Sequence, residues 1–270
     1  MPPAIVSCMK ILVCVKQVPE SDAPIRIDAA AGWIQTAAIS GYKMNRLDEC
    51  ALEEAVRIKA AADRAMIAVV TVGPSRSADV IKRSIGMGAD VGIHIMTASE
   101  KYLSGFEIAA MIAEFARNRH YDLILAGAMS EDNLQGQVGP MLAARLGLPW
   151  ATSVIFEKIA ADEKTVYVER EIEGGSRAAL ELPLPAVLTI QSGINTPRYP
   201  SLSNLLRANR MALEIIPAKD LECDSAPEVV VRIAYPQKTR SGTVLNGTEE
   251  EKAAQLVRIL REKALLPEAS

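Results

Sequence analysis

Leu123-Ile124-Leu125-Ala126-Gly127-Ala128-Met129-Ser130-Glu131-Asp132-Asn133-Leu134-Gln135-Gly136-Gln137-Val138-Gly139-Pro140 joins three kinds of sequence in eighteen residues. Leu123 to Ala126 is a continuous apolar run, as expected of a strand covered on both faces of a sheet. Gly127 opens a polar turn. Gln137 to Leu146 then carries a helical pattern, so the stretch reads as strand, long loop, helix.

The same rhythm extends outward on both sides. Ile11 to Val15 is a second continuous apolar run, and Met66 to Val72 and Val91 to Ile95 read as two further strands. Between them the spacing predicts helices over 49–62, with Asp48 as N-cap, over 78–86, with Ser75 as cap, and over 106–117. Strands alternating with helices specify a mainly parallel, doubly wound α/β sheet of three layers. Ile25 to Asp28 and Gly32 to Gln35 read as a side hairpin. After Pro149 the rhythm changes to an antiparallel meander, 154–159, 165–172 and 178–182, with a turn at Glu173-Gly174-Gly175, and Ala186 to Ile190 reads as a last apolar strand. From about Pro217 the chain is loop-rich, with Pro227 and Pro236, and closes on a charged amphipathic helix over 248–265. The expected organisation is therefore a short N-terminal extension over 1–8, an α/β domain over 9–216 and a C-terminal arm over 217–270. Met9 is a candidate natural start.

Composition narrows the function classes. Of 270 residues 49% are hydrophobic, enough for a sizeable core, while aromatics at 4% argue against a stacking platform for single-stranded nucleic acid. A net charge of -3 predicts no nucleic-acid partner. No apolar stretch approaches the roughly 18 residues of a membrane span. The segment Met1 to Cys8 lacks the basic-then-apolar order of a signal peptide. Cys8, Cys14, Cys50 and Cys223 show no Cys-x-x-Cys spacing, which predicts no zinc site and a reducing, cytoplasmic setting.

The Gly127–Pro140 stretch lies where doubly wound sheets bind ligands, outside the carboxyl ends of strands. Gly136 and Gly139 are read as points of close backbone approach, and the following helix offers free N–H groups and a positive dipole end to a phosphate. The stretch contains no lysine or arginine, so backbone groups and Gln137 would be the donors. A long surface loop with a glycine-rich helix start has the same pattern. Cys14-Val15-Lys16, Met44 to Asp48 and Thr71-Val72-Gly73 are expected at the same sheet edge, where backbone groups suit an adenine edge; Cys14 itself reads as a small buried residue. His94 and His120, the two histidines, read as structural. With no Gly-x-Ser-x-Gly, no carboxylate pair at useful spacing and no metal cluster, no catalytic residue is assigned, which suggests a carrier or regulator.

Several separate motifs, in order, resemble the beta (small) subunit of electron-transfer flavoproteins. Lys10 to Pro19 is similar to that family's opening strand. Met44-Asn45 with Ala51-Leu52-Glu53-Glu54-Ala55 resembles its Met-Asn-Pro and Ala-(Val/Leu)-Glu-Glu-Ala stretch. Val168 to Gly175, followed by Leu184 to Thr189, resembles the family signature, and Asn195 to Leu202 its Asn-x-Pro-Arg-Tyr region. The resemblance implies a Rossmann-like fold of the adenine-nucleotide hydrolase type. It implies a heterodimer whose larger alpha subunit holds a redox-active FAD, part of which the beta subunit covers, and a second nucleotide, AMP or another FAD, inside the beta subunit. The arm over 217–270 would grip the alpha subunit. Electrons would pass between acyl-CoA or related dehydrogenases and a quinone oxidoreductase, and the chain would be a carrier rather than an enzyme.

Carried over residue by residue, the resemblance places nucleotide contacts at Cys14, Asn45, Arg46, Leu47, Asp48, Val72, Asp132, Asn133, Leu134, Gln135, Gly136, Gln137, Val138, Gly139, Pro140, Met141, Leu142 and Ala143. It places partner recognition at Ile194, Asn195, Pro197, Arg198 and Tyr199, with Ile194 as an exposed apolar plug; the same residue also suits packing under its own loop. Gln137-Val138-Gly139-Pro140 is similar to FAD-binding members and the Asn-x-Pro-Arg-Tyr loop to other branches, so AMP and FAD both stay open. A stand-alone adenine-nucleotide sensor, similar in fold to universal stress proteins, is a second reading, against which the C-terminal arm weighs.

Overall fold

The computed structural model describes residues 8–28, 33–62, 64–98, 100–221, 230–236 and 242–265. Residues 1–7 of the expected extension, Gly32 of the hairpin, Cys223 and Pro227 lie outside the described residues. The chain divides into a first unit to Arg232 and a second from Ile233.

The first unit opens with β1 (Met9–Cys14), followed by the short strands β2 (Gln17–Pro19), β3 (Ile27–Asp28), β4 (Trp33–Ile34) and β5 (Tyr42–Met44). Then come α1 (Arg46–Ala61), β6 (Ala65–Gly73), α2 (Ala78–Met87), β7 (Val91–Met96), α3 (Gly105–Ala116), β8 (Leu123–Gly127) and α4 (Val138–Leu146). The meander is β9 (Trp150–Ile159), β10 (Thr165–Glu171) and β11 (Arg177–Pro183), and β12 (Ala186–Ile190), α5 (Leu202–Ala208) and β13 (Glu214–Pro217) complete the unit.

Nine strands form one sheet in the order β11-β10-β9-β12-β8-β1-β6-β7-β13. From β9 to β13 in that order every pairing is parallel, while β10 runs antiparallel to both β9 and β11. The chain steps outward from β1 to β6 and β7, then returns through α3 to set β8 on the other side of β1. The order therefore reverses between β1 and β8, and the carboxyl ends at such a switch point are where doubly wound sheets place their ligand crevice.

Alternation along β1 shows how the sequence builds three layers. Ile11 and Val13 point into a core formed with Leu52, Ala55 and Val56 of α1 and with Ile81 and Ile85 of α2. Leu12 and Cys14 point the other way, into a core with Ile112 and Phe115 of α3 and Leu142 of α4. Both faces are covered, which is why these strands are apolar throughout. Full burial of one such leucine or isoleucine contributes about 1.5–3 kcal/mol.

Some boundaries differ from the expectation, for identifiable reasons. The helix expected over 49–62 starts at Arg46, with Asn45 as its N-cap; Asp48 lies in the first turn and its side chain bonds elsewhere. Ser104, not anticipated, caps α3 with a reciprocal Glu107 capping box. The meander, β12 and the side hairpin fall where they were read. Four elements were not anticipated: β2, β5, α5 and β13, the last extending the sheet beside β7.

In the second unit, Thr248 caps α6 (Glu249–Glu262) in a capping box with Glu251, and Gln255 Nε2 donates to Asn246 O at 3.0 Å. Three glutamates in the first turn suit the positive end of the helix dipole. Among the described residues no helix is long and apolar enough to cross a membrane.

Candidate functional site

The crevice between β1 and β8 is held by one buried carboxylate. Lys16 N, just past β1, donates to Asp48 Oδ2 at 2.8 Å, and Gly127 N, at the end of β8, donates to Asp48 Oδ1 at 2.9 Å. Parallel strands that diverge at a switch point leave such N–H groups without a ladder partner. Asp48 supplies both acceptors from the first turn of α1. Burial pushes the Asp48 carboxyl up to about 7, although the Lys16 and Gly127 N–H groups, the Asn45 amide and the Lys16 ammonium all pull it down. Burial, with the Asp48 charge adding to it, also pushes the Cys14 thiol up, so Cys14 is a neutral packing group at the strand end.

The Gly127–Pro140 loop is fastened to the start of α1. Asn45, fully buried, donates through Nδ2 to Met129 O at 2.9 Å and accepts Glu131 N at Oδ1 at 3.0 Å. Arg46 N donates to Glu131 Oε2 at 3.2 Å. Two lysines bring positive charge to a loop that has none of its own. Lys16 Nζ lies 2.7 Å from Asp132 Oδ1 and 3.2 Å from Ser130 Oγ, and Lys43 Nζ lies 3.2 Å from Glu131 Oε1. These pairs are about one-third exposed, so each contributes little to stability. Their consequence is local: the loop's acidic side chains are neutralised beside the crevice.

The loop leads into α4, whose first turn packs on β12. Gln137 is its N-cap and makes no side-chain capping bond, and its Oε1 is buried without a hydrogen-bond partner among the described residues. The first N–H groups of the helix have no intrahelical acceptor. The unpaired N–H groups at the helix start are donors suited to a phosphate-bearing ligand, whereas the orphaned Gln137 Oε1 is an acceptor and calls for a donor. Gly136 adopts φ +62, and an added Cβ there would press on Ala128 O at 3.0 Å. Gly139 is required for another reason. A Cβ on it would collide with Cγ2 of Thr189 on β12, so this glycine seats α4 on the sheet and does not itself open a ligand path. Leu142 and Ala143 are fully buried in the core beneath the helix, and Val72 packs against the same core at the end of β6. Leu134, with φ +55, is 66% exposed at the loop tip.

A second cluster lies further along α1. Arg198 forms a two-pronged pair with Glu53, Nε to Oε2 and Nη2 to Oε1 both at 2.8 Å, and its backbone N also donates to Oε2 at 3.0 Å. These contacts hold Glu53 below the usual carboxylate range although its burial pushes the other way. Asn195 Nδ2 donates to Cys50 O at 2.9 Å and to Glu54 Oε2 at 2.7 Å, and Arg57 Nη1 reaches Ile194 O at 3.4 Å. The loop from Gln191 to Tyr199 is thus strapped to α1. Ile194 is half-buried against the α1-side core rather than an exposed plug, because the strap draws it inward. The loop's outward side chain is Tyr199, 87% exposed.

The sheet edge therefore assembles Cys14, the Asn45–Asp48 turn, Val72 and the Asp132–Ala143 segment, while Ile194, Asn195, Pro197, Arg198 and Tyr199 form a separate cluster joined to it by α1. Sequence reading missed Lys43 and Thr189 as contributors and saw Lys16 only as part of a strand end. Each acts on a residue far away in the chain, and no local spacing marks such a pair.

Residues 35–221 match a family model described as the electron transfer flavoprotein domain. The chain is 34% identical over 243 residues to the mitochondrial electron transfer flavoprotein subunit beta of Arabidopsis thaliana, covering 90% of this chain and 95% of that protein. It is 32% identical over 245 residues to electron transfer flavoprotein subunit beta of Mus musculus, covering 90% and 94%. The corresponding protein of Methylophilus methylotrophus is 31% identical over 264 residues, covering 94% and 98%.

Proposed function

The chain belongs to the electron transfer flavoprotein family as a beta subunit, and on that premise we propose that it works as the nucleotide-holding, partner-facing half of a heterodimer with an alpha subunit. The observation that carries this reading is the convergence of Asp48, Asn45 and Lys16 on the carboxyl ends of β1 and β8, where they fasten the loop that leads into α4. In this reading the adenine nucleotide, AMP or a second FAD, is held by Cys14, Asn45 to Asp48, Val72 and Asp132 to Ala143. Backbone N–H groups at the start of α4 and the Gln137 amide meet its phosphate, and the Lys16 ammonium offsets its charge. FAD held mainly by the alpha subunit supplies the acceptance and release of electrons. This chain's residues contribute a dry wall and a docking surface, and none is assigned a proton transfer, so the chain is a carrier.

The loop over 191–199 is proposed to meet acyl-CoA or related dehydrogenases, and electrons pass on to a quinone oxidoreductase. The segment from Pro217 onward is proposed to grip the alpha subunit, and a reducing, cytoplasmic setting fits the cysteine spacing. The similarity of Gln137-Val138-Gly139-Pro140 to FAD-binding members supports a second reading, with FAD in this subunit and a bifurcating mode.

Tyr199→Ala, at the loop's outward side chain, tests the docking surface. In the purified heterodimer it is expected to slow electron transfer from a dehydrogenase by about tenfold, the size of one interface anchor, with flavin content unchanged. Unaltered rates with several dehydrogenases would remove the loop from the interface.

A further inference from the structure

The loop between β8 and α4 is fastened unevenly. Its first half is tied to the start of α1 and to two lysines through Met129, Glu131 and Asp132. Its second half runs through two left-handed residues, Leu134 with φ +55 and Gly136 with φ +62, before it enters α4. A leucine in that region is strained and persists only where its surroundings fix it. Within the loop, Leu134 N donates to Ser130 O at 2.8 Å and Gln135 N reaches Asn133 Oδ1 at 3.4 Å. From outside the loop, among the described residues, one hydroxyl bonds this half. Gln135 Nε2 donates to Tyr102 Oη at 3.1 Å, and Gln135 Oε1 lies 3.5 Å from the same oxygen.

Tyr102 is itself seated by other segments. Its ring meets that of Trp33 on β4, with centroids 4.9 Å apart and planes inclined at 49°. Both rings are half-buried. Two residues before Tyr102, Glu100 pairs with Arg76 Nε at 3.3 Å. Arg76 follows β6, and its guanidinium lies 3.9 Å over the Tyr42 ring. Its Nη1 donates to Gln17 Oε1 at 2.5 Å, and Gln17 Nε2 donates back to Arg76 O at 3.1 Å. Tyr42 Oη donates to Thr36 O at 3.1 Å, just past β4. Trp33 and Tyr102 are thus carried by segments that Arg76 ties together. Their contact limits the rotamers of Tyr102 and so fixes the place of its hydroxyl.

We infer that Tyr102 is a positioning residue for the second half of the loop, with Trp33 as its seat. The hydroxyl holds Gln135, and through it the two left-handed residues that lead to the N–H groups of α4. Without that bond the segment 133–137 opens more often, and the nucleotide proposed to lie against it leaves faster. Trp33 and Tyr102 lie outside every residue assigned to the site above, so this role adds to that assignment.

The link to nucleotide rests on the function proposed above; the fastening of the loop does not. Both are measured in the purified heterodimer. One rate is the release of bound nucleotide during a chase with excess AMP or FAD, whichever the denatured wild type yields. The other is backbone amide exchange in a peptide containing 133–137. Tyr102→Phe keeps the ring on Trp33 and deletes the hydroxyl. It is expected to raise both rates about threefold to tenfold, the range of one neutral hydrogen bond. Trp33→Ala is expected to act alike, and Trp33→Phe, which restores an aromatic face, to return most of the way to wild type. Gln135→Ala removes the other partner, so adding Tyr102→Phe to it is expected to raise neither rate further.

Equal exchange in wild type and Tyr102→Phe, or full additivity in the double variant, would overturn the inference. So would an unchanged release rate for a nucleotide that is present. If exchange follows the expectation while the denatured wild type yields no adenine nucleotide beyond the FAD of the alpha subunit, the positioning stands and the proposed nucleotide site falls.

Discussion

Replacing Asp48 by alanine is expected to lower stability by about 2–4 kcal/mol and to strip the protein of bound nucleotide. The change leaves Lys16 N and Gly127 N at the strand ends without their acceptor, at about 1–3 kcal/mol for each orphaned group. In a unit of this size that corresponds to a fall in Tm of roughly 5–15 °C. Asp48→Asn keeps one acceptor oxygen and turns a donor toward the second N–H, so it should fall between wild type and alanine. The pH dependence has a definite sign. Because the Asp48 carboxyl is raised in the folded state, the protonation-linked part of its contribution is fully present below the ordinary carboxylate range and is lost as pH rises through about 7. Thermal denaturation across that window should show a slope in the wild type that flattens in Asp48→Asn. An unchanged Tm for Asp48→Ala would mean that water replaces the carboxylate without cost and that the crevice is not organised by this residue.

Gly139→Val is expected to abolish nucleotide retention by displacing α4 from β12. Glycine is needed here because Thr189 Cγ2 occupies the space of a Cβ, and overpacking of this kind costs about 1–3 kcal/mol or more. The proposed cause is testable because the obstructing methyl can be removed separately. Thr189 Oγ1 accepts Ser153 N at 3.1 Å, so Thr189→Ser keeps that bond and deletes Cγ2. Gly139→Ala alone should lower nucleotide occupancy, and Gly139→Ala with Thr189→Ser should restore most of it. A double variant no better than the single would place the requirement at the ligand instead of the helix seat.

These two residues show how far the sequence can be read. The parallel sheet was legible because β1, β6, β7, β8 and β12 are buried on both faces, which forces continuous apolar runs. The long loop before α4 was legible as a ligand-binding candidate through its position after a strand and its glycines. Asp48 was read as an N-cap because it precedes a helical pattern, whereas its side chain is drawn across to two strand ends by unpaired N–H groups that only the assembled sheet creates. The part Lys16 plays was hidden for a similar reason: its acidic partner is 116 residues away. β13 escaped notice as four residues at a sheet edge ending in Pro217, where alternation is too short to register. The outward-facing Leu202 and Leu206 deny α5 an amphipathic pattern.

The family motifs gain a physical content that resemblance alone did not give. Glu53 and Glu54 read as part of a similar stretch, and in the fold they are the two acids that hold Arg198 and Asn195. α1 thus begins at the carboxyl ends of β1 and β8 and, within three turns, holds the loop proposed to meet partners. Whatever orders the first turn of α1 supports the second cluster as well.

The most direct test of the central claim is the content of the ligand released when the purified complex with the alpha subunit is denatured. The account predicts an adenine nucleotide in addition to the FAD of the alpha subunit, lost selectively in Asp48→Ala: AMP if this subunit serves simple transfer, a second FAD if it belongs to a bifurcating system. A well-folded heterodimer that releases one FAD and no further nucleotide would contradict it.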